Sequence, residues 1–171
     1  MKQLEEEKID QLLGIINLYP SIRIMHFSEG SHLLSKKIAA LCMAHDYEYQ
    51  LNCSNEICFE KATTKYADNE HVKVKKFDLA QPRYTIQAKS YDYLFVTTAV
   101  SDEMRPSFLK KAYGVIKNAG LIVIFISRGD LHQKHLWTEL LQDNNFVATN
   151  TIDLFSDYDV IISKKMHGWG G

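Results

Sequence analysis

Apolar residues along this chain fall into two alternating patterns. Short runs of four to seven residues have extended character, and between them lie stretches where apolar side chains return every three or four positions. The spacing predicts a helix over 2–18, with Leu4, Ile9, Leu12, Leu13 and Ile16 on one face and Glu5 to Glu7 in the first turn, where the helix dipole favours acids. Pro20 and Ser21 end it. Ile22 to Phe27 reads as a strand, Ser28-Glu29-Gly30 as a tight turn, and 31–44 as a helix opened by Ser31 or His32, with Ser31 the better cap. A second strand covers Tyr47 to Leu51, and a helix capped by Ser54 or Asn55 runs to about Tyr66. His71 to Phe77 alternates Val72 and Val74 with lysines at 73, 75 and 76, as expected of an edge strand guarded against stray pairing.

After a broken stretch around Pro82, with one helical turn before Ser90, Tyr91 to Val96 forms a fourth strand. A helix follows over 105–117, opened by Pro106 and stopped by Asn118-Ala119-Gly120. Leu121 to Ile126 (LIVIFI) has no polar residue, the mark of a central strand covered on both faces. A last helix reaches about Leu141, and strands at 146–151 and 159–163 follow. The link between those two is too short for a crossover helix, so they pair antiparallel. The order is five strands of parallel type with interleaved helices, then one helix and a terminal hairpin.

Composition narrows the class. The 171 residues, 46% hydrophobic, suit one domain: an N-terminal helix at 1–19, a core at 20–165 and a Gly/Trp tail at 166–171. The net charge of −1 gives no global attraction to nucleic acid. Lys73, Lys75, Lys76, Arg83 and Lys89 form a local basic cluster, for which solvated edge lysines are explanation enough. Three spread cysteines, an acidic N-terminus and the absence of a long apolar run predict a cytoplasmic chain without a disulfide framework or a membrane span. Trp169, between glycines, is expected to tuck onto its own domain or to enter a partner's groove.

The element order, the terminal hairpin and the stretch AYGVIKNAGLIVIFI (112–126) resemble the class I S-adenosylmethionine-dependent methyltransferases over about residues 20–165. The resemblance implies a three-layer, Rossmann-like α/β fold, mostly parallel with a C-terminal antiparallel hairpin, S-adenosylmethionine as cofactor and a small-molecule substrate. Aligned through the LLS at 33–35, the family's acid at the end of the first strand is His26, and its three turn glycines are Ser28, Gly30 and His32. The ribose-binding acid falls on Asn52, or on Cys53 with a one-residue shift. Asp78 keeps the acid near the adenine amine, and Thr97 stands where the fourth strand delivers residues to the transferred methyl. No catalytic residue is assigned. Asp102 and Glu103, in the loop 97–105, are placed to orient an acceptor or to cap the next helix.

The departures have physical weight. Asn52 retains one acceptor where a carboxylate offers two. His32 brings a Cβ and a ring to a position of close backbone approach. No metal-ligand spacing, Walker loop or complete nucleophile elbow is present. Two readings stand: a small methyltransferase acting on a small molecule, and a catalytically silent domain of the same fold used for binding or assembly. Oligomeric state is open, with a homodimer as one option.

Overall fold

The structure, a computed structural model, describes residues 1–85 and 87–167. In chain order it comprises α1 (Glu6–Leu13), β1 (Arg23–Ser28), α2 (His32–His45), β2 (Glu48–Cys53), α3 (Glu56–Lys65), β3 (Val72–Lys76), β4 (Tyr91–Val96), α4 (Arg105–Val115), β5 (Ile116–Ser127), α5 (Leu131–Asp143), β6 (Phe146–Ile152) and β7 (Tyr158–Lys165). The seven strands make one sheet in the order β3-β2-β1-β4-β5-β7-β6. The first five are parallel, and β7 lies antiparallel between β5 and β6. The order reverses between β1 and β4, which makes the carboxyl ends of those strands the topological switch point.

Each face of the sheet carries a separate apolar core. On one, Ile9 and Leu12 of α1, Leu34 and Ile38 of α2 and Ala62 of α3 pack on Ile24, Tyr49 and Leu51. On the other, Phe108 and Leu109 of α4 and Trp137 and Leu141 of α5 pack on Met25, Phe27, Leu94 and Ile122. Helices on both faces are what a parallel sheet requires, and the arrangement is the expected three-layer α/β fold. β3 lies at one edge, with its lysines outward. The tail expectation concerning Trp169 lies outside the described residues.

Four local expectations are corrected. The first helix has eight residues, because residues 1–5 form an extended arm. Leu4 is buried as expected but from that arm, which Lys2 and Glu5 tie to Asp157, Tyr158 and Ser156. Asn118 to Gly120 does not separate helix from strand, since β5 already starts at Ile116. Four residues, Lys117 to Gly120, oppose the single Asp92 of β4 in a bulge, and Ala119 takes the positive φ of 65° that the bend needs. There Gly120 is required by space: a Cβ would lie 2.6 Å from Ile116 Cγ2 and 2.9 Å from the Asp92 carbonyl. α4 accordingly ends at Val115, and no helical turn precedes Ser90 among the described residues.

Candidate functional site

Residues at successive positions of β1 point to opposite faces. His26 and Ser28 face α2, and Phe27 faces α4. Parallel pairing of β1 with β2 and β4 brings Tyr49 and Thr97 to the two sides of the His26 ring. Its Nδ1 lies 2.8 Å from the Tyr49 hydroxyl and its Nε2 2.7 Å from Thr97 Oγ1. Ser31 Oγ is 2.8 Å from Thr97 Oγ1 and 3.0 Å from Ser28 Oγ. Ser28 Oγ in turn accepts the backbone N–H groups of Gly30 and Ser31 at 3.1 and 3.2 Å.

One assignment of protons satisfies every group. Tyr49 donates to His26 Nδ1; Nε2–H donates to Thr97; Ser28 donates to Ser31, Ser31 to Thr97, and Thr97 to the Phe27 carbonyl. His26, fully buried, is the neutral centre of this chain, since burial pushes its imidazole down to about 3. Above the network, the Glu29 carboxylate accepts the Ala99 N–H and the Thr98 hydroxyl, spanning the switch point from β1's loop to β4's. On the β2 side, the Ser54 and Asn55 side chains donate to the Ser28 and Glu29 carbonyls.

The sequence-designated residues therefore divide. His26, Ser28 and Thr97 meet in one network. Gly30, at φ 130°, and the exposed His32 line two adjoining cavities of about 420 and 250 Å³, which open toward the α2 and α3 side. Asn52 faces the other side of the sheet, where Gln50 donates to its Oδ1 at 3.0 Å and Tyr91 donates to Gln50 Oε1 at 2.7 Å. The alternative at that position, Cys53, is buried on the α3 side beside Cys58. Asp78 is exposed and caps its own turn through the Ala80 N–H. Asp102 pairs with the Arg105 side chain at 2.9 Å and does not cap α4, whose N-cap Met104 has no side-chain capping bond.

Ser31, Ser35, Tyr49 and Glu29 belong to the site: Ser31 and Glu29 lie in the turn 28–32 expected to face the crevice, without an assigned role, and Ser35 and Tyr49 were not singled out for it. Ser31 was read as a cap, yet its hydroxyl makes no capping bond and crosses to Thr97 instead. The spacing Ser28-x-x-Ser31-x-x-x-Ser35, helical from Ser31 onward, is the signal that would have found two of the four.

Class I methyltransferases present their cofactor with a glycine turn whose backbone amides and open space meet the ligand, and with acceptors at the ends of β1 and β2. Here the turn amides are taken by Ser28, both His26 nitrogens are used, and Asn52 Oδ1 is occupied. The residues present do not fit S-adenosylmethionine in the family's manner with the loop arranged in this way.

Solved structures that share the fold include several described as methyltransferases. The chain superposes on an S-adenosylmethionine-dependent O-methyltransferase from Thermotoga maritima with a TM-score of 0.74 at 15% identity, covering 100% of this chain and 69% of that one. On a putative S-adenosylmethionine-dependent methyltransferase from Methanococcus maripaludis the TM-score is 0.74 at 13% identity, covering 97% and 87%. On the CurJ carbon methyltransferase it is 0.72 at 13% identity, covering 93% of this chain. The chain spans about half the length of the CurJ structure and of the citrinin polyketide synthase methyltransferase domain, 52% of each. No family model and no curated protein matches the sequence. Together these establish the class I methyltransferase fold.

Proposed function

We propose that this chain is a methyltransferase-fold domain that does not transfer methyl groups and serves as a binding or assembly module. The observation that carries this reading is the closed network of His26, Thr97, Ser31 and Ser28 at the ends of β1 and β4. Groups that would anchor a cofactor hold one another instead, and opening them would strand a buried neutral imidazole. Fold alone does not confer the activity. The net charge of −1 favours a small molecule over nucleic acid as ligand, and three free buried cysteines suit a cytoplasmic location. Sedimentation analysis of the same preparation reads whether the module is a homodimer.

Calorimetry with S-adenosylmethionine and S-adenosylhomocysteine tests the reading. No heat at millimolar ligand is expected, and saturable binding at micromolar concentration overturns it.

A second reading is favoured by one atom. Asn52, at the family's ribose-binding position, is 2% exposed and its Nδ2 has no hydrogen-bond partner. A buried unpaired donor is uncommon unless a ligand or water completes it. On this reading the chain is a methyltransferase of a small-molecule acceptor: the first loop opens, S-adenosylmethionine binds with Asn52 and Asp78 beside the nucleoside, and Asp78→Ala weakens that binding.

A further inference from the structure

The two cavities beside Gly30 share Gly30, His32 and Lys65; Ser31 lines the outer one and Ser28 and Ser35 the inner one, and neither is lined by His26, Asn52, Asp78 or Thr97. They form a hollow that shares the turn 28–32 with the switch-point crevice and runs away from it, between the start of α2 and the length of α3. Its chemistry is one-sided. Among the described residues, Lys2, Lys36, Lys61 and Lys65 line it and no carboxylate does, in a chain with 21 acidic and 20 basic residues. Lys36, Lys61 and Lys65 enter none of the ion pairs among the described residues.

The backbone adds to this. α2 has fourteen residues and starts at the hollow, and its N-cap Ser31 makes no capping bond; the His32 N–H donates to the Gly30 carbonyl at 2.9 Å, and those of Leu33 and Leu34 are left for another acceptor.

A separate observation points the same way. Tyr66 lines the inner cavity at 9% exposure, and its hydroxyl, shut off from solvent, has no hydrogen-bond partner. Lys65 Nζ lies 5.4 Å from the centre of the same ring, so a cation stands over the ring that carries the unused donor. Buried hydroxyls are normally paired, and a missing partner calls for a ligand or water that supplies an acceptor. The outer cavity is different in character: Met1, Leu4, Leu33 and Leu34 give it an apolar wall.

The geometry points to a binding site for a small phosphorylated molecule in this hollow. The phosphoryl group meets Lys61, Lys65, the start of α2 and the Tyr66 hydroxyl, and the rest of the ligand lies against Leu4 and Leu33. Several unpaired ammonium groups match the double charge of a phosphomonoester better than the single charge of a carboxylate. The inner cavity, at about 250 Å³, is larger than a bare phosphate needs, and it adjoins the apolar one. The inference holds whether or not the switch-point crevice takes a cofactor.

Calorimetry and thermal shift with phenyl phosphate, inorganic phosphate and phenol test it on the full chain at fixed ionic strength. Phenyl phosphate is expected to bind saturably at one site, inorganic phosphate more weakly, and phenol not at all. Lys61→Gln with Lys65→Gln should weaken phenyl phosphate binding about tenfold or more, and Tyr66→Phe by about three- to tenfold. The latter change removes only an oxygen that has no partner in the fold, so the variant keeps a folded protein under test. Lys73→Gln with Lys75→Gln, on β3, should leave the affinity unchanged. Absence of saturable binding at millimolar phenyl phosphate overturns the inference. So does phenol binding equally well, or a loss in the β3 variant as large as that in the α3 variant.

Discussion

The two faces of the sheet use the same strand ends differently. Toward α4 and α5, Phe27 is enclosed by rings, with centroids at 4.8 Å (Phe77), 5.0 Å (Tyr84) and 5.6 Å (Phe108), and Trp137 continues the cluster beyond Phe108. Toward α2 and α3, the neighbouring His26 sits in a web of hydroxyls, and the hollow opens just beyond it. One residue's step along β1 separates an apolar interlock from a polar one. The aromatic side gains its stability from area and packing, which no titration alters. The polar side depends on every donor finding its acceptor and on one imidazole remaining uncharged. The buried imidazole is thus on one face, while the other is mainly a rigid support whose own polar groups include the Tyr91–Gln50–Asn52 chain.

That contrast can be tested by unfolding measurements. The largest effect is expected on the apolar side: Phe108→Ala should cost about 3–5 kcal/mol by denaturant titration, with the same loss at pH 7 and pH 5. A loss that changed with pH would erase the distinction between the faces. The next is a pH effect on the polar side. His26 is neutral when folded, with its imidazole at about 3, whereas an unfolded imidazole titrates near 6.5. Its contribution is therefore complete above about pH 6.5 and is lost as pH falls toward 3, at about 1.4 kcal/mol per pH unit. Between pH 7 and pH 5 this is about 2 kcal/mol, and His26→Gln should flatten that part of the stability–pH curve. Thr97→Val removes the hydroxyl that His26 and Ser31 share and should cost about 1.5 kcal/mol. The smallest effect is Asn55→Ala, which removes the side-chain acceptor of the Cys58 N–H at the start of α3 and should cost about 1 kcal/mol in thermal unfolding.

Much of the architecture was legible because strand and helix periods are local properties. LIVIFI announced a central strand, and the short link before residue 158 announced a hairpin. What local reading missed was set by distant partners. Asn118-Ala119-Gly120 looks like punctuation, but pairing with β4 recruits it into β5 as a bulge around Asp92. Leu4 has the spacing of a helix, but the loop at 156–158 holds it in an extended arm. The candidate site was legible as positions rather than as chemistry. His26 and Thr97 are 71 residues apart, and their bond exists because both strands pair in parallel register. Tyr66, read only as the end of a helix, becomes notable once its hydroxyl is seen to lack a partner.

The N-terminal arm has a consequence for traffic into the molecule. Its residues wall the larger cavity, yet what fastens them beyond Leu4 is an exposed Lys2–Asp157 pair and the bonds to Ser156 and Tyr158. Exposed pairs of this kind contribute about 1 kcal/mol or less and weaken as salt rises. The arm is therefore held chiefly by Leu4, which is 4% exposed: peeling it back exchanges a few surface contacts for water and uncovers that one core side chain.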